Sequence, residues 1–83
     1  MNDDALERQV RAALFAIAPD LEAEPIDPNR RYRDQFEFDS MDFLRFVVSL
    51  HERLQVDIPE RDYAKVRTLD ACVSYLEAKL AAR

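Results

Sequence analysis

The sequence predicts an all-α fold: a small up-and-down four-helix bundle with three main helices, one short helix and a long loop between the first two helices. Apolar residues recur every three or four positions in three separate stretches, which is the spacing of one helix face. Prolines interrupt the chain between the first two stretches and exclude a regular helix there. With 83 residues, the chain has the size of one small domain, so we expect residues 1–83 to form a single domain.

The first predicted helix lies before Pro19, which ends it because proline lacks the N–H that continues the hydrogen-bond ladder. Asp3 or Asp4 can cap its start. Its apolar face is formed by Leu6, Val10, Leu14 and Ile17. Residues 19–38 show no sustained period, so we expect an irregular connection that is ordered by spaced hydrophobic residues. These are Leu21, Ile26, Tyr32 and Phe36.

The second main helix is predicted over Ser40–Leu54, with Asp39 as its cap and Asp42 adding negative charge to its first turn. Its apolar arc is about twice as wide as the stripe that a surface helix needs, so part of this arc should face solvent. The predicted core residues are Phe43, Phe46, Val47, Leu50 and Leu54.

Met41 and Val48 lie at the edge of this arc, beside Arg45 and Glu52. Exposed apolar anchors with a charged rim are typical of protein interfaces. Two interpretations are open: the pair docks a partner, or the long loop buries it. We favour docking.

After Pro59, a short helix is expected at residues 60–65, and Thr68 with Asp70 opens the last helix. The inward face of that helix is formed by Leu69, Cys72, Val73, Leu76 and Leu80. Its position makes Cys72 a small buried hydrophobe rather than a reactive thiol. Because the chain has no glycine, its helices must end at prolines and in loops rather than at glycine caps.

The net charge of −5 disfavours nucleic acid and favours basic partner surfaces. Arg30, Arg31 and Arg33 form a basic cluster that we interpret as solvated loop residues rather than as phosphate contacts. A single cysteine excludes an internal disulfide, and no apolar run is long enough to span a bilayer. We therefore expect a cytoplasmic protein, not inserted in a membrane, that is a monomer.

Ser40 stands at a helix start, where free N–H groups and the helix dipole favour a phosphate. Catalysis by Ser40 would need a nearby base, but the only histidine, His51, lies about 16 Å further along the same helix. No metal-ligand spacing or glycine-rich phosphate loop is present. An enzyme is therefore not expected, and Ser40 is either a modified residue or a simple cap.

The stretch "FDSMDFLRFVVSLHERLQVDIPE", followed by "RTLDACVSYLEAKL", resembles the acyl carrier protein family. The family's Asp-Ser-Leu matches Asp39, Ser40 and Met41, and its Ile-Pro-acid matches residues 58–60. Its Thr and Tyr-Leu pattern matches Thr68, Tyr75 and Leu76, and its loop Phe and Leu match Tyr32 and Phe36. The resemblance covers nearly the whole chain and implies a four-helix bundle with a long first loop.

This resemblance implies that a phosphopantetheinyl transferase attaches 4′-phosphopantetheine from coenzyme A to Ser40, with Asp39 as cap and recognition residue. Acyl groups would then be carried as thioesters on the arm, in exchange with acyl-transferring or acyl-activating enzymes of one pathway. The residues expected to contact partners are Phe38, Met41, Asp42, Arg45, Val48 and Glu52. The candidate residues for an acyl pocket are Phe46, Val47 and Leu50.

Two departures from the family pattern affect this expectation. Glu37 and Phe38 replace the usual glycine and small residue before Asp39, and Phe38 puts a large apolar group beside Ser40. The second helix carries no net charge, and Arg45 stands where the family has a partner-contacting acid. We therefore expect a dedicated carrier in a specialised fatty-acid, lipid or polyketide-type pathway. The alternatives are an aminoacyl or peptidyl carrier and an unmodified helical interaction module in which Ser40 is only a cap.

Overall fold

The computed structural model describes residues 3–19 and 25–82, with side chains from residue 5 onwards. This part of the chain is helical and contains no strand. Its elements are α1 (Asp3–Ile17), α2 (Tyr32–Gln35), α3 (Ser40–Leu54), a 3₁₀-helix (Glu60–Val66) and α4 (Leu69–Ala81). Helix α1 packs against α3 and α4, and the 3₁₀-helix packs against α4. The predicted all-α bundle is confirmed.

The core forms where the apolar faces of the three long helices meet. Every predicted inward residue of α1 and α4 lies in or against this core, with Ile17, Val73 and Leu80 only partly buried. In α3, Phe46, Val47 and Leu50 are buried as predicted, whereas Phe43 and Leu54 are only partly buried. The predictions for the side chains of Asp3, Asp4 and Leu21 lie outside the described residues. No helix in the described part is long and apolar enough to cross a membrane.

The connection before α3 is ordered by hydrogen bonds that its sequence pattern does not reveal. Gln35 accepts from the Asp27 N–H at 2.9 Å and donates to the carbonyls of Asp27 and Arg30 at 2.8 and 2.9 Å. Tyr32 N–H donates to the Arg67 carbonyl at 3.1 Å and ties the connection to the start of α4. Helix α2 was not predicted, because four residues are too few to show a helical period.

A side-chain hydrogen bond connects the 3₁₀-helix to α4. The Tyr75 hydroxyl donates to Asp62 Oδ2 at 2.6 Å, and Lys65 Nζ lies 3.4 Å from Asp62 Oδ1. The Tyr75 hydrogen bond is the main reason that the pKa of Asp62 is lowered, with Lys65 as a further cause. Thr68 caps α4 as predicted, since its hydroxyl accepts from the Ala71 N–H at 3.1 Å.

Helix α3 ends at Leu54, and the cap residue that follows, Gln55, takes the left-handed conformation with φ 54° and ψ 44°. This position usually holds glycine, because a Cβ atom is strained there. The N–H of Gln55 donates to the His51 carbonyl at 2.8 Å, and its side chain donates to the Glu52 carbonyl at 2.9 Å. A chain without glycine thus still makes a left-handed helix end, contrary to the expectation that prolines and loops would replace it.

Replacing Gln55 with glycine is expected to raise the free energy of unfolding by about 1 kcal/mol, because glycine removes the strain of the left-handed residue. Gln55→Ala is the matched control, since it removes the same side-chain hydrogen bond but keeps the Cβ atom. Urea unfolding followed by circular dichroism measures both changes. A glycine variant no more stable than the alanine variant would contradict the assigned strain.

Tyr75→Phe tests the link to Asp62 through its dependence on pH. Because the folded pKa of Asp62 is lowered from 3.8, its stabilising effect is present above this value and is lost as pH falls through the folded pKa. The wild type should therefore melt at a higher temperature than Tyr75→Phe at pH 7, and the gap should shrink below about pH 4. A gap that stays constant from pH 7 to pH 2.5 would contradict the assigned role of Asp62.

Candidate functional site

Ser40 is the first residue of α3 and is exposed to solvent. The residue that caps this helix is Asp39, whose Oδ1 accepts from the Asp42 N–H at 2.9 Å. Asp42 completes a reciprocal capping box, because its Oδ2 accepts from the Asp39 N–H at 3.2 Å. Among the described residues, the Ser40 hydroxyl has no hydrogen-bond partner. Since Asp39 is the cap, Ser40 is left free for another role.

On one side of Ser40 lies a cavity of about 330 Å³ between the loop before α3, the start of α3 and the 3₁₀-helix. Its walls include four aromatic rings and three arginines. The lining residues are Arg31, Tyr32, Arg33, Phe38, Asp39, Ser40, Met41, Phe43, Leu44, Tyr63 and Arg67. Phe43 and Tyr63 meet edge to face at 5.6 Å between ring centroids and connect α3 to the 3₁₀-helix. No local pattern in the sequence indicates that Tyr63 and Arg67 approach Ser40.

A groove of about 260 Å³ runs along the outer face of α3. It is lined by Met41, Leu44, Arg45, Val48, Ser49 and Glu52. Met41 and Val48 are 59% and 49% exposed, so the interpretation that the loop buries them is wrong. Leu44, which is 43% exposed, extends the same apolar strip. Its spacing of three and four residues from Met41 and Val48 was the signal that could have identified it.

Phe38 requires a correction, because we expected it to contact partners beside Ser40. It is only 7% exposed, and its ring packs edge to face against Tyr32 at 5.5 Å and Phe46 at 6.3 Å. Its side chain therefore belongs to the core and to the cavity wall, and it presents no apolar group to a partner. Asp42 also lies apart from the groove, since its carboxylate completes the capping box.

The acyl-pocket candidates also occupy a different place from the cavity beside Ser40. Phe46, Val47 and Leu50 are buried in the core and do not line this cavity. They belong to one core cluster with apolar residues of α1 and α4, and α1 packs directly against α3. The residues of α3 that do line the cavity all belong to its first turns: Ser40, Met41, Phe43 and Leu44.

The ring of His51 is held at the opposite end of α3 from Ser40. Its Nδ1 lies 2.9 Å from the Val56 carbonyl oxygen. A carbonyl only accepts, so Nδ1 carries the proton and donates it there. His51 thus cannot activate Ser40, as its sequence position already indicated. Within residues 5–19 and 25–82, no cluster of side chains could hold a metal ion.

Cys72 is fully buried against Tyr32, and burial raises the pKa of its thiol to about 12. A thiol in this state is a poor nucleophile, which fits the prediction of a structural role. The Tyr32 hydroxyl faces the same apolar surroundings, and its pKa is raised well above 10, chiefly by burial. It lies near the Cys72 thiol without reaching hydrogen-bond geometry, and it has no partner in the described part of the chain.

Comparison with known proteins identifies the family of this chain. A family model described as "Phosphopantetheine attachment site" matches residues 10–76. An acyl carrier protein of Helicobacter hepaticus (strain ATCC 51449 / 3B1) is 29% identical over 58 residues, which cover 70% of this chain and 76% of that protein. The chain belongs to the phosphopantetheine-attachment family, as its resemblance to acyl carrier proteins predicted.

The cofactor of this family is 4′-phosphopantetheine. The chain is therefore a carrier protein and not a catalyst. Such carriers interact with a phosphopantetheinyl transferase and with the enzymes of their pathway.

Asp39→Ala is expected to lower the free energy of unfolding by about 1 kcal/mol, because the variant loses the side-chain acceptor of the α3 cap. Asp39→Asn is the matched control, since an asparagine side chain can accept the same hydrogen bond. Urea unfolding of the three proteins measures the difference. An asparagine variant as unstable as the alanine variant would contradict the capping role.

Proposed function

We propose that this protein is an acyl carrier protein that carries acyl intermediates as thioesters on a 4′-phosphopantetheine arm attached to Ser40. The observation that supports the choice of Ser40 is its position directly after the Asp39 cap, exposed and with no hydrogen-bond partner in the described part of the chain. This position falls inside the region that the family match covers. We further propose that Asp39 contributes to recognition by the transferase.

The surroundings of Ser40 suit a phosphodiester. Its hydroxyl oxygen is exposed at a helix N-terminus, where the helix dipole favours negative charge. Arg33 and Arg67 line the adjacent cavity and add positive charge. When attached, the arm supplies a distal thiol that carries acyl groups as thioesters. The chain itself supplies a fixed attachment point and a surface for partners.

The outer groove of α3 is the proposed docking surface for partner enzymes. Met41, Leu44 and Val48 offer an apolar strip, and Arg45 and Glu52 offer one charge of each sign at its rim. Apolar anchors supply most of the affinity of such contacts, while charges at the rim select partners and steer association.

The charge of α3 supports a specialised pathway rather than bulk fatty-acid synthesis. Asp42 and Glu52 are balanced by Arg45 and Arg53. A partner that fits this helix needs an acidic group opposite Arg45, because like charges in an interface are unfavourable. We therefore propose a fatty-acid, lipid or polyketide-type pathway whose own enzymes present an acidic group to Arg45.

Intact-protein mass spectrometry tests the attachment. The protein is incubated with coenzyme A, magnesium and a phosphopantetheinyl transferase of broad specificity. The wild type and the control Ser74→Ala should each gain one phosphopantetheine, whereas Ser40→Ala should gain none. Ser74 is a suitable control because it is an exposed serine on a different helix.

If the wild type remains unmodified, the experiment is repeated by co-expression with the transferase of the native host. Absence of modification in that setting would contradict the carrier function and support an unmodified interaction module. Modification of Ser40→Ala would assign the arm to another residue. Loading by amino-acid-activating enzymes instead of acyl-activating ones would indicate an aminoacyl or peptidyl carrier.

Val48→Glu tests the docking surface with the transferase as the partner. The charged residue should raise the KM for modification by about tenfold or more, which is the effect of losing one interface anchor. Ala78→Glu, an exposed position on α4, is the control for added charge. Both variants should melt within a few degrees of the wild type, because each changed side chain is exposed. An unchanged KM for Val48→Glu would contradict the proposed groove.

A further inference from the structure

The cavity beside Ser40 combines an aromatic interior with a basic rim. Tyr32 and Phe38 form one wall, and Phe43 and Tyr63 form another. Ser40 itself belongs to the lining, so the cavity begins where the arm would be attached. A cavity of about 150 Å³ holds one benzene molecule, and this cavity of about 330 Å³ is roughly twice as large.

The arginines at the rim differ in how they are bound. Arg31 Nε donates to Asp34 Oδ2 at 2.9 Å, so its charge is matched within the loop. Arg33 and Arg67 have no side-chain partner among the residues that the structure describes. The carboxylate of Asp39, which also lines the cavity, is engaged in the cap of α3.

Two unmatched guanidinium groups therefore lie beside the attachment residue of a chain whose net charge is −5. Arginine binds phosphate oxygens through a planar fork of N–H donors, and charge-assisted hydrogen bonds of this kind are stronger than neutral ones. The chemistry of the rim thus fits a phosphate group, and the aromatic walls fit an apolar group next to it.

We propose that the cavity holds the arm itself, with Arg33 and Arg67 binding its phosphodiester and the four rings covering its apolar part. For Arg33, this proposal replaces the sequence-based interpretation of a solvated loop residue, because the structure places it in α2 and in the cavity lining. This inference rests on the proposed function, because it requires the arm on Ser40. The arm is chosen over the acyl cargo for two reasons. Its phosphodiester is bonded to a residue of the cavity lining, and the phosphodiester carries a negative charge that can pair with Arg33 and Arg67.

In the resting carrier, the arm is therefore docked in the cavity. The arm lies against Tyr32 and Phe43 when no enzyme is bound, and it leaves the cavity when a partner extracts it. Arg33 and Arg67 act as positioning residues for the arm.

The test compares apo and holo protein after mass spectrometry has shown complete modification. Thermal unfolding should give a holo protein that melts about 4–8 °C above the apo protein, a gain that decreases with added salt. This rise in melting temperature should be lost in the double variant Arg33→Gln/Arg67→Gln and kept in the single variant Arg61→Gln. Arg61 is an exposed arginine of the 3₁₀-helix that does not line the cavity, so Arg61→Gln controls for the loss of an exposed positive charge away from the cavity.

Phosphorus NMR of the same samples reports on the phosphodiester directly. Its resonance should be broad and shifted in the wild type and in Arg61→Gln, and it should sharpen in the double variant as the arm becomes free. The melting temperatures of the apo variants show that each protein folds.

Equal melting temperatures of the apo and holo wild type would overturn the proposal. It would also be overturned if the double variant kept both the rise in melting temperature on modification and the phosphorus resonance of the wild type. A gain that appears only after loading an octanoyl group from octanoyl coenzyme A would assign the cavity to the cargo and also overturn it. If the proposed function is wrong, the result is different: mass spectrometry finds no holo protein at all. The proposal for the cavity is then wrong as well, because it requires the arm on Ser40.

Discussion

The packing of Phe38 against Tyr32 and Phe46 is the interaction on which the arrangement of this protein depends. The three rings meet edge to face, with centroids 5.2 to 6.3 Å apart. Such pairs contribute about 0.5–1.5 kcal/mol each beyond the burial of their area. Because Tyr32 and Phe38 belong to the connection before α3 and Phe46 belongs to α3 itself, the cluster fixes where the chain enters that helix. Ser40, two residues after Phe38, is held in place by this packing.

The position of Ser40 places it between two unlike surfaces. The inner surface is the cavity with aromatic walls and arginines at its rim, and the outer surface is the apolar groove of α3. Met41 lines both, since it follows Ser40 directly. In the proposed function, the inner surface would hold the arm and the outer surface would dock enzymes, on either side of the proposed attachment point. The match to the phosphopantetheine-attachment family is the reason to expect an arm at this place, since the geometry alone does not indicate one.

The sequence predicted the features that depend on local signals. The bounds of α3 and the cap at Asp39 follow from a short polar residue before an apolar periodic stretch. It did not predict the burial of Phe38, because whether a loop residue enters the core depends on which helices it meets. The left-handed conformation of Gln55 was not predicted, because glycine is the residue that usually marks such a helix end and the chain has none. The cavity could not be predicted, because Tyr63 and Arg67 are distant from Ser40 in the chain.

Backbone order parameters of residues 36–42, measured by nitrogen-15 relaxation on the apo protein, test most directly whether Ser40 is rigidly presented. Since the aromatic cluster and the capping box both act on this segment, we expect values near 0.85, equal to those inside α3. The measurement needs neither cofactor nor partner. Values below about 0.6 in this segment, with an ordered α3, would show that the packing of Phe38 does not hold Ser40 in place.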